Sequence, residues 1–193
     1  MKNSIKTVAL LAAIMGATFA AKAQTSTTTA SNGVIYSVGA ESGIAVGKFK
    51  DAYKWNLGGS VQADIPVASQ FYATINAGYQ NYFGKNNIYG TTFSPTDIHL
   101  IPVKAGLKFF PVKDLYIQGE AGAAFVLNKS DVGYDKAAAF IYAPTIGVQL
   151  PLNGSSYIDA GVRYEASTKF TSGVDNSKTN ILGLRVAYAF SVK

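Results

Sequence analysis

Eight stretches of this chain alternate apolar and polar residues with a period of two, and the segments that join them alternate as well, long then short. No single motif constrains the fold as strongly. A period of two marks a strand with unlike faces, and glycines interrupt every stretch long enough to be a helix. Strands are expected at Ile35–Val46, Trp55–Ile65, Phe71–Phe83, Ile98–Phe109, Leu115–Asn128, Ala138–Leu150, Tyr157–Ser167 and Asn180–Phe190. Each has about 11 residues or slightly more, the length of a tilted strand crossing a bilayer. The segments "GKFKDAYK", "GKNNIYGTTFSPTD", "KSDVGYDKA" and "TKFTSGVDNSKT" are long and polar. The other three are short, and each carries a proline, Pro66, Pro111 or Pro151. A proline at a strand end costs the ladder no donor.

Alternation alone does not say which face points inward; residue chemistry does. One face collects Val38, Leu57, Val61, Ile75, Val103, Leu107, Ile117, Ile146, Val162 and Leu184, almost without charge. The other carries Gly, Ser, Asn and Gln with single charges. Aromatic residues gather at strand ends: Trp55, Phe71, Tyr79, Phe83, Phe109, Tyr116, Tyr142, Tyr164, Tyr188 and Phe190. Rings at both ends of an apolar band match the two interfaces of a bilayer. A soluble barrel hides its apolar face; a membrane barrel shows it to lipid and keeps the polar face for the lumen. The expected fold is all-β, an eight-stranded antiparallel up-and-down transmembrane β-barrel over residues 35–193.

Residues 1–23 read as a signal peptide: Lys2 and Lys6, an apolar run from Val8 to Ala21, and "AKA" before a cleavage between Ala23 and Gln24. Residues 24–34 form a polar, flexible leader. The net charge of +6 falls when Lys2, Lys6 and Lys22 leave, and the remaining lysines are scattered, so no nucleic-acid stripe exists. With 48% hydrophobic and 15% charged residues in 193, a single ordered domain is expected. The absence of cysteine excludes disulfides and thiol chemistry.

The lumen of an eight-stranded barrel is just wide enough to be filled by side chains, so charges inside it must pair. Glu41, Lys104, Lys108, Glu120, Arg163, Glu165 and Arg185 fall on the polar face, as do Asp64 and Asp159. A hairpin turning about Val112 sets Lys104 opposite Glu120. The seam between the last and first strands brings Arg185 to Glu41, and Arg163 and Glu165 extend that cluster. Glycines on the same face, among them Gly106, Gly122, Gly147 and Gly161, are expected to leave room for the long side chains. Tyr72, Tyr116 and Tyr157 each start a strand in register with polar positions, as packing at the short-turn end.

With these features the chain resembles the small outer-membrane β-barrels of OmpA/OmpX type along essentially its whole mature length. The last strand, "GLRVAYAF", alternates Leu184, Val186, Tyr188 and Phe190 and looks like the terminal signal read by the barrel-assembly machinery, although "SVK" follows the final aromatic. The resemblance implies export to the cell outer membrane and contact with its lipids and lipopolysaccharide. It also implies long loops outside the cell, able to meet a surface ligand.

No cofactor, metal or catalytic residue is expected. His99 is the sole histidine and sits at the outward or rim side of a strand start. The His-x-Ser of outer-membrane deacylases is missing, since "HLI" stands there, and "GKNNIYG" lacks phosphate-loop spacing. Three functions remain: a structural or surface-interaction barrel with a filled lumen, a narrow passive channel, and a lipid A-modifying enzyme. Lys48, Lys50 and Lys54 in the first loop are candidates for lipid phosphates. The reading favours the first function and a non-enzyme.

Overall fold

The computed structural model describes residues 33–86, 94–152, 154–173 and 177–192. The signal segment, its cleavage site at Ala23 and Gln24, and residues 24–32 of the leader lie outside them.

Eight strands form: β1 Val34–Ala45, β2 Tyr53–Ala68, β3 Phe71–Gly84, β4 Ile98–Val112, β5 Leu115–Val126, β6 Ala138–Pro151, β7 Ser156–Ser167 and β8 Asn180–Val192. Each pairs antiparallel with its sequence neighbours. β8 returns to β1, from Val34 opposite Val192 to Ala45 opposite Ile181, closing the barrel. Closure removes the unpaired edges that an open sheet would expose. No described helix is long and apolar enough to cross a membrane, which says nothing about strands.

The faces divide as the alternation implies. Val38 and Leu184 are each 60% exposed, and Leu57, Val61, Ile75, Leu107, Ile117 and Val162 also point outward. Lys104 and Lys108, on the neighbouring positions, are 1% exposed. This inside-out distribution is stable only where the surroundings of the barrel are apolar. Aromatics pair along the outer rims: Trp55 stacks on Phe83 at 4.3 Å and Phe71 on Phe109 at 4.5 Å. Tyr116, counted with these girdles from the sequence, points inward instead and is buried.

The prolines of the short connections lie inside the strands, not in the turns. Pro66 and Pro111 sit where the β2–β3 and β4–β5 registers shift. Bulges are places where a strand tolerates a missing N–H. Two further prolines stand in mid-strand. At Pro102 the β3–β4 ladder passes from Ala77–Val103 to Gln80–Leu100, and at Pro144 the β6–β7 ladder passes from Tyr142–Ala166 to Thr145–Arg163. Each proline leaves a local gap without changing the register.

Candidate functional site: the charged lumen

Nine charged side chains are buried on the inward face of the described strands. Five are carboxylates, Glu41, Asp64, Glu120, Asp159 and Glu165; four are cations, Lys104, Lys108, Arg163 and Arg185. Thus Asp64 and Asp159 join the seven charges assigned to the network from sequence.

The upper layer centres on Glu41. Arg163 reaches across from β7 to Glu41 Oε2 at 3.0 Å and to Glu120 Oε2 at 3.3 Å. Arg185 lies opposite Glu41 on the seam, with Nε 3.5 Å from Oε1. The Ser60 hydroxyl and the Gln80 amide donate to the same carboxylate at 2.5 and 3.0 Å. Lys104 pairs with Glu165 at 2.5 Å. In the lower layer Lys108 bridges Asp64 at 2.6 Å and Asp159 at 3.1 Å. Arg185 links the layers through Asp159 at 3.5 Å.

The expected pair of Lys104 with Glu120 does not form. Lys104 lies opposite Gly122, and Glu120 opposite Gly106. The hairpin turns at Lys113–Asp114, with Asp114 at φ 65°, and the register shift between Phe109 and Val112 moves the partners by two residues. Both charges then reach across the lumen to β7 instead of along the wall. In so narrow a barrel a long side chain spans the interior as easily as it spans adjacent strands.

The glycines serve close approach more than charge accommodation. A Cβ on Gly106 or Gly122 would stand 2.0 Å from the carbonyl oxygen of Gly119 or Val103 on the paired strand. Gly147 and Gly161 make room for a ring: a Cβ on Gly147 would meet Tyr116 Cζ at 2.4 Å. That ring is held by its hydroxyl, which donates to Asp159 at 2.8 Å, and by Lys108 Nζ, 4.4 Å from its centroid. Gly147→Ala is therefore expected to displace Tyr116 and to destabilise the barrel by about 1–3 kcal/mol, the usual cost of overpacking. The cost of Gly147→Ala should be smaller in a Tyr116→Ala background than in the wild type, a coupling that a double-mutant cycle of denaturant titrations on the refolded protein measures.

Apolar layers seal both ends. At the short-turn end Ile35, Tyr72, Phe110, Tyr116 and Ala189 pack with Tyr157. At the long-loop end the expectation of a polar lumen fails. Ile98, Leu100, Val126, Ile141 and Ile181 face inward there, and Phe49 and Phe170 fold down from the first and fourth loops to complete the plug. Here both faces of the strands are apolar, so the alternation fades; "HLIPV" at the start of β4 is its trace in the sequence.

The loops above the plug interlock. A short helix α1, Lys129–Val132, lies in the third loop. Beyond it Tyr134 stacks on Phe170 at 5.0 Å, and the Lys136 N–H donates to the Phe170 carbonyl at 2.9 Å. Burial pushes the Tyr134 hydroxyl up to about 12 from 10.0. Because the folded value exceeds the unfolded one, docking of this loop is unaffected below pH 10 and weakens as pH rises from there toward about 12. Limited proteolysis across that range should show the third loop opening in the wild type, and Tyr134→Phe should reduce the pH dependence.

His99 lies on the outer face, its Nδ1 2.6 Å from the Tyr79 hydroxyl. Asp97 does not reach it; its carboxylate accepts from the Gly84 N–H at 2.9 Å and from Asn81 at 3.5 Å. In β8, Leu184, Val186, Tyr188 and Phe190 all point outward.

No protein-family model and no curated protein matches the sequence. Solved structures do resemble it. The outer membrane protein AlkL in lipid bilayers superposes with a TM-score of 0.53 at 15% identity, over 88% of this chain and 94% of that one. The Yersinia pestis outer membrane protein Ail in a phospholipid nanodisc gives 0.53 at 15% identity, over 82% of this chain and 100% of its own. The chain thus has the fold of the small outer-membrane β-barrels.

Proposed function

We propose that this chain is a non-enzymatic outer-membrane barrel of OmpA/OmpX type, a rigid closed scaffold that presents four long loops to partners outside the cell. One observation carries the reading: the lumen is filled. Two ionic layers lie between two apolar plugs, and the cavity among the upper-layer charges measures about 20 Å³, room for about one water. A steady solute path would need a buried ion pair to break and an aromatic plug to move together, which is costly.

The loop end supports a surface role. Phe49, Tyr134 and Phe170 anchor the first, third and fourth loops to the plug, so the loops project from a fixed base. Lys50 and Lys54 are exposed there and suit lipopolysaccharide phosphates as point charges. The outward alternation of β8 suits recognition by the barrel-assembly machinery after export by the N-terminal signal. The lone His99 is engaged by Tyr79 and has no acid relay through Asp97, which disfavours lipid A chemistry.

The refolded mature chain, placed in planar bilayers, is expected to show no steady single-channel conductance; sustained ion flux would establish the passive channel instead. Cells carrying His99→Ala should give lipid A mass spectra identical to wild type.

A further inference from the structure

Charge is divided unequally between the two ends of the barrel. The long loops at one end, residues 46–52, 85–97, 127–137 and 168–179, carry seven lysines and four aspartates among their described residues. The short turns at the other end carry Lys113 and Asp114 among theirs. The ion pairs between described residues all lie in the lumen, so no salt bridge to a described carboxylate neutralises the loop lysines. The packing of the plug puts this charge over the mouth. Phe49 is buried, and the residues on either side of it, Lys48 and Lys50, are exposed. Phe170 is buried in the same cluster, with Lys169 next to it in the chain. The Lys136 N–H donates to the Phe170 carbonyl, and the Lys136 side chain is exposed. Rings that turn down leave their neighbours on top. They also take the apolar surface with them. Among the described residues of the four loops no large hydrophobic side chain is exposed apart from Leu127, which continues the outward face of β5.

We propose that this mouth binds a linear acidic polysaccharide, whose sulfate or carboxylate groups meet lysines of several loops at once. The inference rests on the closed-scaffold reading and names its partner. The loop cations are all lysines, because the two arginines of the chain, Arg163 and Arg185, are both engaged in the lumen. Lysine is a point charge on a flexible stem, without the fixed fork that would single out one anion. Strength then comes from many weak contacts along one polymer. The first and third loops stand on opposite sides of the barrel, since β1–β2 and β5–β6 lie half the closed ring apart. A chain lying across the mouth meets Lys50 and Lys136 together; a lipid headgroup beside the wall reaches one side. Other partners fit the surface less well. A protein interface is anchored by large apolar or aromatic side chains, and single-stranded nucleic acid needs a ring on which its bases stack. Above the outward wall the described loops expose neither.

The mature chain, refolded in uncharged detergent micelles, is titrated with a fluorescent heparin fragment at about 0.15 M salt, where distant surface charges are screened. Saturable binding is expected, weakening steeply as salt rises. Lys50→Gln with Lys136→Gln should weaken it roughly tenfold, through the loss of two exposed charge contacts. Both side chains are exposed, so the fold tolerates the changes. Lys50→Gln and Lys113→Gln alter the net charge equally, and only the first should weaken binding by more than about twofold. No binding of heparin would overturn the proposal, as would equal losses from Lys50→Gln and Lys113→Gln. Tighter binding of duplex DNA or of lipopolysaccharide, at equal anionic charge, would overturn it in favour of that partner. Conductance keeps the two readings apart. A silent barrel that ignores heparin sinks this proposal and leaves the closed scaffold standing. Steady flux through a barrel that binds heparin by Lys50 and Lys136 supports the polysaccharide surface and overturns the closed lumen.

Discussion

Arg163→Leu should lower the unfolding free energy by about 3–5 kcal/mol, the cost of removing one partner from a buried ion pair. Arg163 is the keystone of the upper layer because it joins two acids from opposite walls, Glu41 on β1 and Glu120 on β5. Leucine fills part of the space and forms no hydrogen bond. Glu41 keeps Arg185, Ser60 and Gln80; Glu120 keeps, among the described residues, a long contact with Thr74 at 3.5 Å. The loss should therefore fall chiefly on Glu120. Adding Glu120→Gln to Arg163→Leu, which neutralises the stranded acid, should return a large part of the loss. Urea titrations of the four proteins of the cycle, refolded in micelles, measure the coupling directly. A wild-type midpoint for Arg163→Leu would show that the layer is held by other contacts.

That experiment bears on what could be read from the sequence. The alternation of period two located every strand and told the inward face from the outward one, because a slip by one residue would turn each apolar side chain to the wrong side. A slip by two residues keeps every face and is invisible to the pattern. The β4–β5 hairpin is such a case: Lys104 and Glu120 are inward as expected, yet Lys104 opposes Gly122 because Phe110 and Pro111 occupy a register shift. The seam pair was legible, since Arg185 and Glu41 are directly opposed on β8 and β1. The pairs that cross the lumen, Lys104 with Glu165 and Lys108 with Asp64, depend on the barrel's width and on side-chain reach, which no local pattern encodes. Phe49 and Phe170 were hidden for another reason. Each is one aromatic in a polar loop, and its inward fold follows from the apolar ring of Ile98, Leu100, Ile141 and Ile181 that awaits it.

Phe49→Ala tests that plug and should be the second large loss, about 3–5 kcal/mol for a fully buried aromatic truncated to alanine. Phe49 is 1% exposed, stacked on Tyr53 at 4.5 Å and edge-on to Tyr82 at 5.7 Å. It sits in the single 3-10 turn, Phe49–Asp51, of the first loop, so removing the ring also detaches that loop from its base. Protease cleavage near Lys48 and Lys50 should accelerate in the variant, while the strands stay protected. Phe49→Leu keeps most of the volume and should cost under about 1.5 kcal/mol with little new cleavage. Conductance should stay silent in both, because the ionic layers beneath the plug still fill the lumen. A channel that opens in Phe49→Ala would locate the barrier to flow in the aromatic cap and remove it from the salt-bridged layers, against the closed-scaffold reading.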